Sequence, residues 1–305
     1  MGQSAGAKSV LALFASPLAR GLFHRGIAQS SYAVPDNTRA KALDIGVRVA
    51  DALGLKGAKA TAAQLRAVPA EKFAQLKGQG LSNSPIPISG DKVLPQSIQD
   101  TFAARREARL PLIVGNTSDD ASVVAAFGID AAAVLKRLGA AGLFVKVLYP
   151  RVRDDRELAR QATRDLLFTM PARWIADRHA NRAPTWRYYF DYVAVKDRAR
   201  HPKGAPHGGE VAYVLNTGDI FEETKDIFTD RDREVARRVS DYWFGFARTG
   251  KPAAPGAPAW PDHRGWRDNT MLLGETATVR SHFMRTRLNI LMGASNILGR
   301  VLSRK

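Results

Sequence analysis

Residues 2–6 read Gly-Gln-Ser-Ala-Gly, and no other feature of the chain limits its fold as tightly. A G-x-S-x-G pentapeptide is the pattern of a sharp strand-to-helix turn that lifts a serine above a parallel sheet. The constraint is steric. A serine in a strained backbone conformation tolerates only small neighbours, and Gly2 and Gly6 are expected to keep side chains out of the turn. Ser4 is then a candidate nucleophile, and the N–H of Ala5 would point at a developing oxyanion. The plain alternative is a flexible start that runs into a helix N-terminus.

The remaining pattern is what such a turn requires. Ala5 to Phe14 reads as a helix ended at Ser16-Pro17, because proline disfavours a helical conformation in the residue before it. Gly26–Gln29 and Leu110–Val114 are apolar runs suited to strands buried on both faces. Trp186 to Val193 alternates and is aromatic, and Met271–Leu273 is a last short strand. Between them, helical spacing predicts a helix opened at Asp36 with Ala42, Ile45, Val49 and Leu53 on one stripe. Further helices are predicted over 61–68, 71–77, 130–138, 157–167, 171–180, from Glu210, over 230–248 and over 284–302. Residues 86–94 look like a hairpin turning on Gly90-Asp91. Strands separated by helices imply an α/β fold with a doubly wound parallel sheet. Few long strands accompany many helices, so the sheet is expected to be cut short on its N-terminal side.

Composition narrows the chemistry. Of 305 residues none is cysteine, which removes thiolate nucleophiles, disulfides and zinc-thiolate sites. A net charge of +17 raises the question of nucleic acid. The basic residues are interleaved with acids, as in 151–164 and 230–238, so they read as solvated helix faces and not as a phosphate-tracking stripe. No apolar run approaches the length of about 18 residues that a membrane span needs. Lys8 interrupts the first apolar stretch, which reads against a signal peptide.

A serine nucleophile on this kind of sheet needs an acid and then a histidine, in that chain order. The histidine accepts the serine proton and the acid fixes its tautomer. Among six histidines, His207 has the best setting, in the tight turn Ala205-Pro206-His207-Gly208-Gly209-Glu210 before a helix. His24, His179, His201, His263 and His282 read as surface or packing residues. The acid belongs in a loop after a buried strand, where Asp119 and Asp120 both stand; helix capping is the ordinary role for either.

Five segments occur in a telling order: Gly2 to Ala7, Ser16 to Ser30, Gly115 to Asp120, His207 to Glu210, and Phe246 to Pro252 with Trp260-Pro261. Together they resemble the type B carboxylesterase family, the cholinesterase-like branch of the α/β-hydrolases, over nearly the whole chain. The resemblance implies a catalytic triad of Ser4, Asp120 and His207, with Ala5 in the oxyanion site and neither metal nor organic cofactor. The implied activity is hydrolysis of a small-molecule ester through an acyl-enzyme. Two departures stand out. The family usually carries Glu where Gln3 stands, and mostly Glu where Asp120 stands, which shortens the reach to His207.

The resemblance also implies a large portion before the elbow, with the first strands and a glycine-rich oxyanion loop. Residues 1–305 are accordingly expected to be a single α/β-hydrolase domain lacking that portion, poorly soluble and nearly inactive alone. The rival readings are a non-catalytic cholinesterase-like interaction domain and an inert gene fragment. Three lesser motifs carry little. Ser89-Gly-Asp-Lys92 matches S-x-x-K but reads as a turn, whereas that motif needs a helix. Asn116-Thr-Ser118 is a glycosylation sequon against the acid loop. The stripe Leu288, Leu291, Met292, Ser295, Leu298 and Leu302 reads as packing against the domain before it reads as a membrane-surface helix.

Overall fold

A computed structural model describes residues 1–32, 37–76, 87–127, 145–220 and 225–302, with side chains described except at 125–127 and 294–302. The strands are β1 (Gly2–Gln3), β2 (Gly26–Gln29), β3 (Asn37–Thr38), β4 (Ile88–Ser89), β5 (Leu112–Thr117), β6 (Thr185–Phe190), β7 (Asn269–Leu273) and β8 (Ala277–Ser281). The α-helices are α1 (Ala5–Ala15), α2 (Arg39–Ala52), α3 (Ala62–Ala67), α4 (Ala70–Ala74), α5 (Ile98–Ala103), α6 (Asp155–Arg164), α7 (Met170–His179), α8 (Val211–Val214), α9 (Asp230–Thr249) and α10 (Arg285–Leu302). The helix expected over 130–138 lies outside the described residues. Contacts divide the chain into two compact units: Met1–Leu11, Gly21–Val34 and Arg109–Lys305 in one, Ala12–Arg20 and Pro35–Ala108 in the other.

The first unit holds a six-stranded sheet in the order β1-β2-β5-β6-β7-β8, parallel except for the β7–β8 pair. This is the α/β arrangement expected from the alternation of elements. Period-two alternation sorts β6 onto two faces. Trp186, Tyr188 and Phe190 join the core beneath α9, with Val235, Val239, Tyr242, Trp243 and Phe246 from the helix. Arg187 lies on the other face and shares Asp268 with Arg173 of α7, so helices cover both sides. The stripe on α9 recurs every three or four residues, and each of its large side chains is worth about 2–5 kcal/mol against truncation to alanine. Thr229 and Asp232 cap α9 reciprocally, and Gly250, at φ 81°, ends it in the left-handed conformation.

Several expectations need correction. Strand β5 runs on to Thr117, past the point where a loop was expected, because Gly115, Asn116 and Thr117 continue the ladder with Tyr188, Tyr189 and Phe190. A Cβ on Gly115 would lie 2.4 Å from the Tyr188 ring, so only glycine allows this close pairing. The helices expected over 157–167 and 171–180 form one helical run through a π-turn, Asp165–Thr169, in which Met170 N donates to Asp165 O. Pro171 follows directly after this turn, at the second position of α7, and has no N–H to give the ladder. Strand β8 was not foreseen; it is the antiparallel return of β7.

In the second unit the hairpin on Gly90-Asp91 does not form. Asp91 Oδ1 accepts the N–H groups of Val93 and Leu94 (2.8 and 3.0 Å), which takes those groups out of any ladder, and Ile88–Ser89 pairs in parallel with Asn37–Thr38. Ser89 is therefore in a strand ahead of a turn, not on the helix that S-x-x-K would need. Helix α2 starts at Arg39 under a Thr38 cap, and the expected opener, Asp36, lies outside the described residues. Helix α5, unforeseen, carries a Ser97–Asp100 cap.

Candidate active site

The chain turns sharply at Ser4. Its φ is 55°, its N–H donates to Gln29 O at 2.8 Å, and Lys8 N–H donates back to Ser4 O at 3.1 Å. β1 thus passes through one left-handed residue straight into α1, as the elbow reading requires. The two glycines are not equivalent. A Cβ on Gly2 would lie 2.4 Å from the backbone of Gly6, whereas a Cβ on Gly6 meets nothing within 4 Å. Gly2 alone is needed for space. Ala5 is the first residue of α1, so its N–H has no acceptor within the helix and joins the positive end of the helix dipole.

The acid turn and the histidine turn are tied together by three main-chain N–H donors. Asp119 N donates to Ala205 O (2.8 Å), Ala205 N to Ser118 Oγ (2.8 Å) and His207 N to Ser122 Oγ (2.9 Å). This places Asp120 Oδ1 at 2.7 Å from His207 Nδ1, with Asp120 fully buried. The other oxygen, Oδ2, accepts from Thr117 N (2.8 Å) and Ser30 Oγ (3.0 Å). All the usual needs of a buried carboxylate are met without a cation. Asp119 is engaged elsewhere, in a hydrogen-bonded ion pair with Arg160, which also grips Glu157. Burial pushes the Asp119 carboxyl above its ordinary value, with Arg160 working against that rise. The shorter aspartate reaches His207 without difficulty, since the 2.7 Å contact is made by Asp120 itself.

Ser4 and His207 are less directly joined. Among the described residues, Ser4 Oγ makes no hydrogen bond to the imidazole. The side chain on His207 Nε2 is that of Gln3, whose Nε2 stands 3.2 Å away. Phe168, from the π-turn, packs on the ring with centroids 5.3 Å apart. Behind the turn lies Glu210, fully buried, accepting from Gln29 Nε2 (3.2 Å), while Trp243 Nε1 donates to Gln29 Oε1. Burial, and next the charge of Asp120, push the Glu210 carboxyl up to about 7. Ser30, Gln29 and Phe168 were not picked out from sequence, and Gln3 only as a departure at the elbow. Ser30 and Gln29 could have been, since they end the buried strand β2 with polar side chains.

The remaining histidines are accounted for by structure: His179 Nε2 bonds Leu110 O, His201 pairs with Asp197, His282 bonds Trp266 O and His24 is exposed. Asp177, His263 and Asp268 bring ligand atoms within 4.8 Å of one another. Their carboxylates are already taken by Arg173 and Arg187, which makes the group an ion-pair network and not a cation site. Asn116, in the sequon, is buried in β5 and bonded to Thr117 O and Thr169 Oγ1. Leu288 and Leu291 of α10 are buried, as packing requires. No helix among the described residues is long and apolar enough to cross a membrane.

Comparison with known proteins places the chain in a family. The chain matches the profile described as "Carboxylesterase family" over residues 1–142 and 150–291. It is similar to the para-nitrobenzyl esterase of Bacillus subtilis (strain 168), 29% identical over 309 residues that take in 92% of this chain and 59% of that protein. It is also similar to the acylcarnitine hydrolase of Rattus norvegicus, 28% identical over 294 residues, covering 86% and 51% of the two chains. A solved PNB esterase superposes with a TM-score of 0.72 at 26% identity, over 94% of this chain and 61% of its own. The chain thus spans between half and three-fifths of the length of these relatives. Because the matched profile runs through the elbow, the acid turn and the histidine turn alike, this chain belongs to the carboxylesterase family and has the α/β-hydrolase fold.

Proposed function

We propose that the chain hydrolyses carboxylic esters of small molecules through an acyl-enzyme, with Ser4 as nucleophile, His207 as general base and acid, and Asp120 as the orienting carboxylate. Ser4 Oγ attacks the ester carbonyl while its proton passes to His207 Nε2. The N–H of Ala5 meets the developing oxyanion. His207 then delivers the proton to the departing alcohol, and water repeats the sequence on the acyl-enzyme to release the acid. Asp120 holds the proton of Nδ1, which leaves the Nε2 lone pair turned outward. The reaction calls for no metal and no organic cofactor, and nothing in it requires nucleic acid or a membrane.

The 2.7 Å bond from His207 Nδ1 to Asp120, with Gln3 of the elbow 3.2 Å from Nε2 and Ser4 the next residue at φ 55°, is the observation that carries this reading. A neutral histidine in another role has no need of a fully buried carboxylate saturated by two further donors. The esterase and hydrolase relatives support the same reaction class. The elbow supplies one oxyanion donor, and a second is worth on the order of 10²–10³ in rate. Acylation by an activated ester is therefore the step to measure. A burst of p-nitrophenol from p-nitrophenyl acetate should vanish in Ser4→Ala and in His207→Ala. A parent chain that gives no burst would favour a non-catalytic role for the fold, and a burst that survives both substitutions would place the nucleophile elsewhere.

A further inference from the structure

We propose that Gln3 is a positioning residue for His207, able to bond Nε2 both when it carries no proton and when it does. The proposal rests on the reading of His207 as the proton carrier. With the Nδ1 proton donated to Asp120 (2.7 Å), Nε2 presents a lone pair, and the Gln3 carboxamide N–H donates to it across 3.2 Å. No other side chain among the described residues bonds that nitrogen. Once Ser4 has given up its proton, Nε2 becomes a donor. A half-turn of the Gln3 amide then brings Oε1 into the place of its nitrogen. That terminal torsion is broad and roughly two-fold, so the turn is easily made. A carboxamide carries both a donor and an acceptor, whereas a carboxylate offers acceptors alone and a thioether almost nothing.

The surroundings leave Gln3 this role. Asp120 is committed to Nδ1, and Glu210, on the same turn as His207, is bonded to Gln29. Tyr188 lies against Glu210, Phe168 touches the ring face, and the Ser122 hydroxyl holds the His207 main chain. Gly208, at φ 79°, lies beside Gln3, whose Nε2 would be in ordinary contact, at 3.5 Å, with a Cβ built there. A glutamate in place of Gln3 would pair only with the protonated ring, whereas the carboxamide gives the base a partner without adding an anion.

The test uses phosphorylation of the full chain by diethyl p-nitrophenyl phosphate, which needs no deacylation. Ser4 Oγ bonds phosphorus, p-nitrophenolate leaves, and the serine proton goes to His207. Rates are followed from pH 5 to pH 9 for the parent chain, Gln3→Glu, Gln3→Met and Ser4→Ala. Gln3→Glu should react up to about tenfold more slowly on the acid limb of the profile and reach each parent rate about one pH unit higher, because a carboxylate within hydrogen-bonding distance favours the charged ring. Gln3→Met should be slower by a few-fold at every pH. Nitrogen-15 spectra of the His207 ring, which need no turnover, should show Gln3→Glu retaining both ring protons to higher pH. A Gln3→Glu profile parallel to the parent, together with an unchanged ring spectrum, would overturn the proposal. Phosphorylation persisting in Ser4→Ala would sink instead the assignment of the nucleophile.

Discussion

His207 Nδ1 meets Asp120 at 2.7 Å, while the neighbouring carboxylate of Asp119 faces Arg160 in an ion pair of its own. Two adjacent acids therefore have separate tasks, and substitution should separate them. Asp120→Asn offers His207 an amide that can accept only by abandoning Thr117 N or Ser30 Oγ, and it favours the wrong tautomer. Acylation should fall by about 10³–10⁴-fold with little change in melting temperature. Asp119→Asn should cost less than tenfold. Burst kinetics with p-nitrophenyl acetate read both.

Glu210 predicts a pH dependence of stability. Its ordinary value of 4.5 is raised to about 7 in the folded chain, first by burial and then by the charge of Asp120. Between those two values the folded state holds a proton that the unfolded state has lost. Stability from this group is thus full below pH 4.5 and is lost as pH rises toward 7, by about 3 kcal/mol in all. Above 7 the loss is constant. A carboxamide in its place has no such proton to lose, so the Glu210→Gln variant should gain on the parent between pH 5 and pH 8. Urea midpoints of the two proteins at four pH values give the difference directly. A gap independent of pH would show that Glu210 is ionised throughout.

Asp268 accepts from both Arg173 (2.8 Å) and Arg187 (3.0 Å), and all three are buried. Burial lowers the Arg187 guanidinium to about 10, with Asp268 opposing that shift. Removing the shared anion leaves two positive groups facing each other in the interior. Asp268→Ala should cost about 3–5 kcal/mol, enough to lower the melting temperature by roughly 5–8 °C. His263 and Asp177 cannot replace it, since they are already bonded to each other. Differential scanning calorimetry would measure the loss.

The fold and the centre of the site were legible where local chemistry decided them. The elbow, the buried runs at 26–29 and 110–114 and the stripe on α9 each carry their pattern in a single segment. The histidine turn stood out for its glycines, and Asp120 was separated from Asp119 only through a resemblance. What escaped depends on partners distant in the chain. Strand β5 runs on past Val114 because β6 offers it a ladder, and Pro171 is absorbed by a π-turn that no periodicity announces. Gln3 on His207 joins residues 204 apart, and a lone glutamine gives no sign of such a contact. Ser97-x-x-Asp100 spells a helix start and Ala277-Thr-Val-Arg-Ser281 alternates as a strand does, but each signal is short.

The elbow itself sets stability against reactivity. Ser4, at φ 55°, holds a conformation that costs an L-residue about 1–2 kcal/mol and glycine almost nothing. Ser4→Gly should therefore raise the midpoint of unfolding, while Ser4→Ala, which keeps the Cβ, should not. Both should abolish acylation, so any difference between them isolates the backbone. Gly2 and Gly6 supply the counter-test. Gly2→Ala drives a methyl into the Gly6 backbone at 2.4 Å and must distort the turn, so it should lose acylation and stability together. Gly6→Ala enters open space on α1, where alanine is the better helix former by up to about 1 kcal/mol, and should be neutral or stabilising. Equal damage from the two substitutions would mean that the elbow is not held by the contact between Gly2 and Gly6, and that Ser4 owes its geometry to the β1–β2 pairing alone.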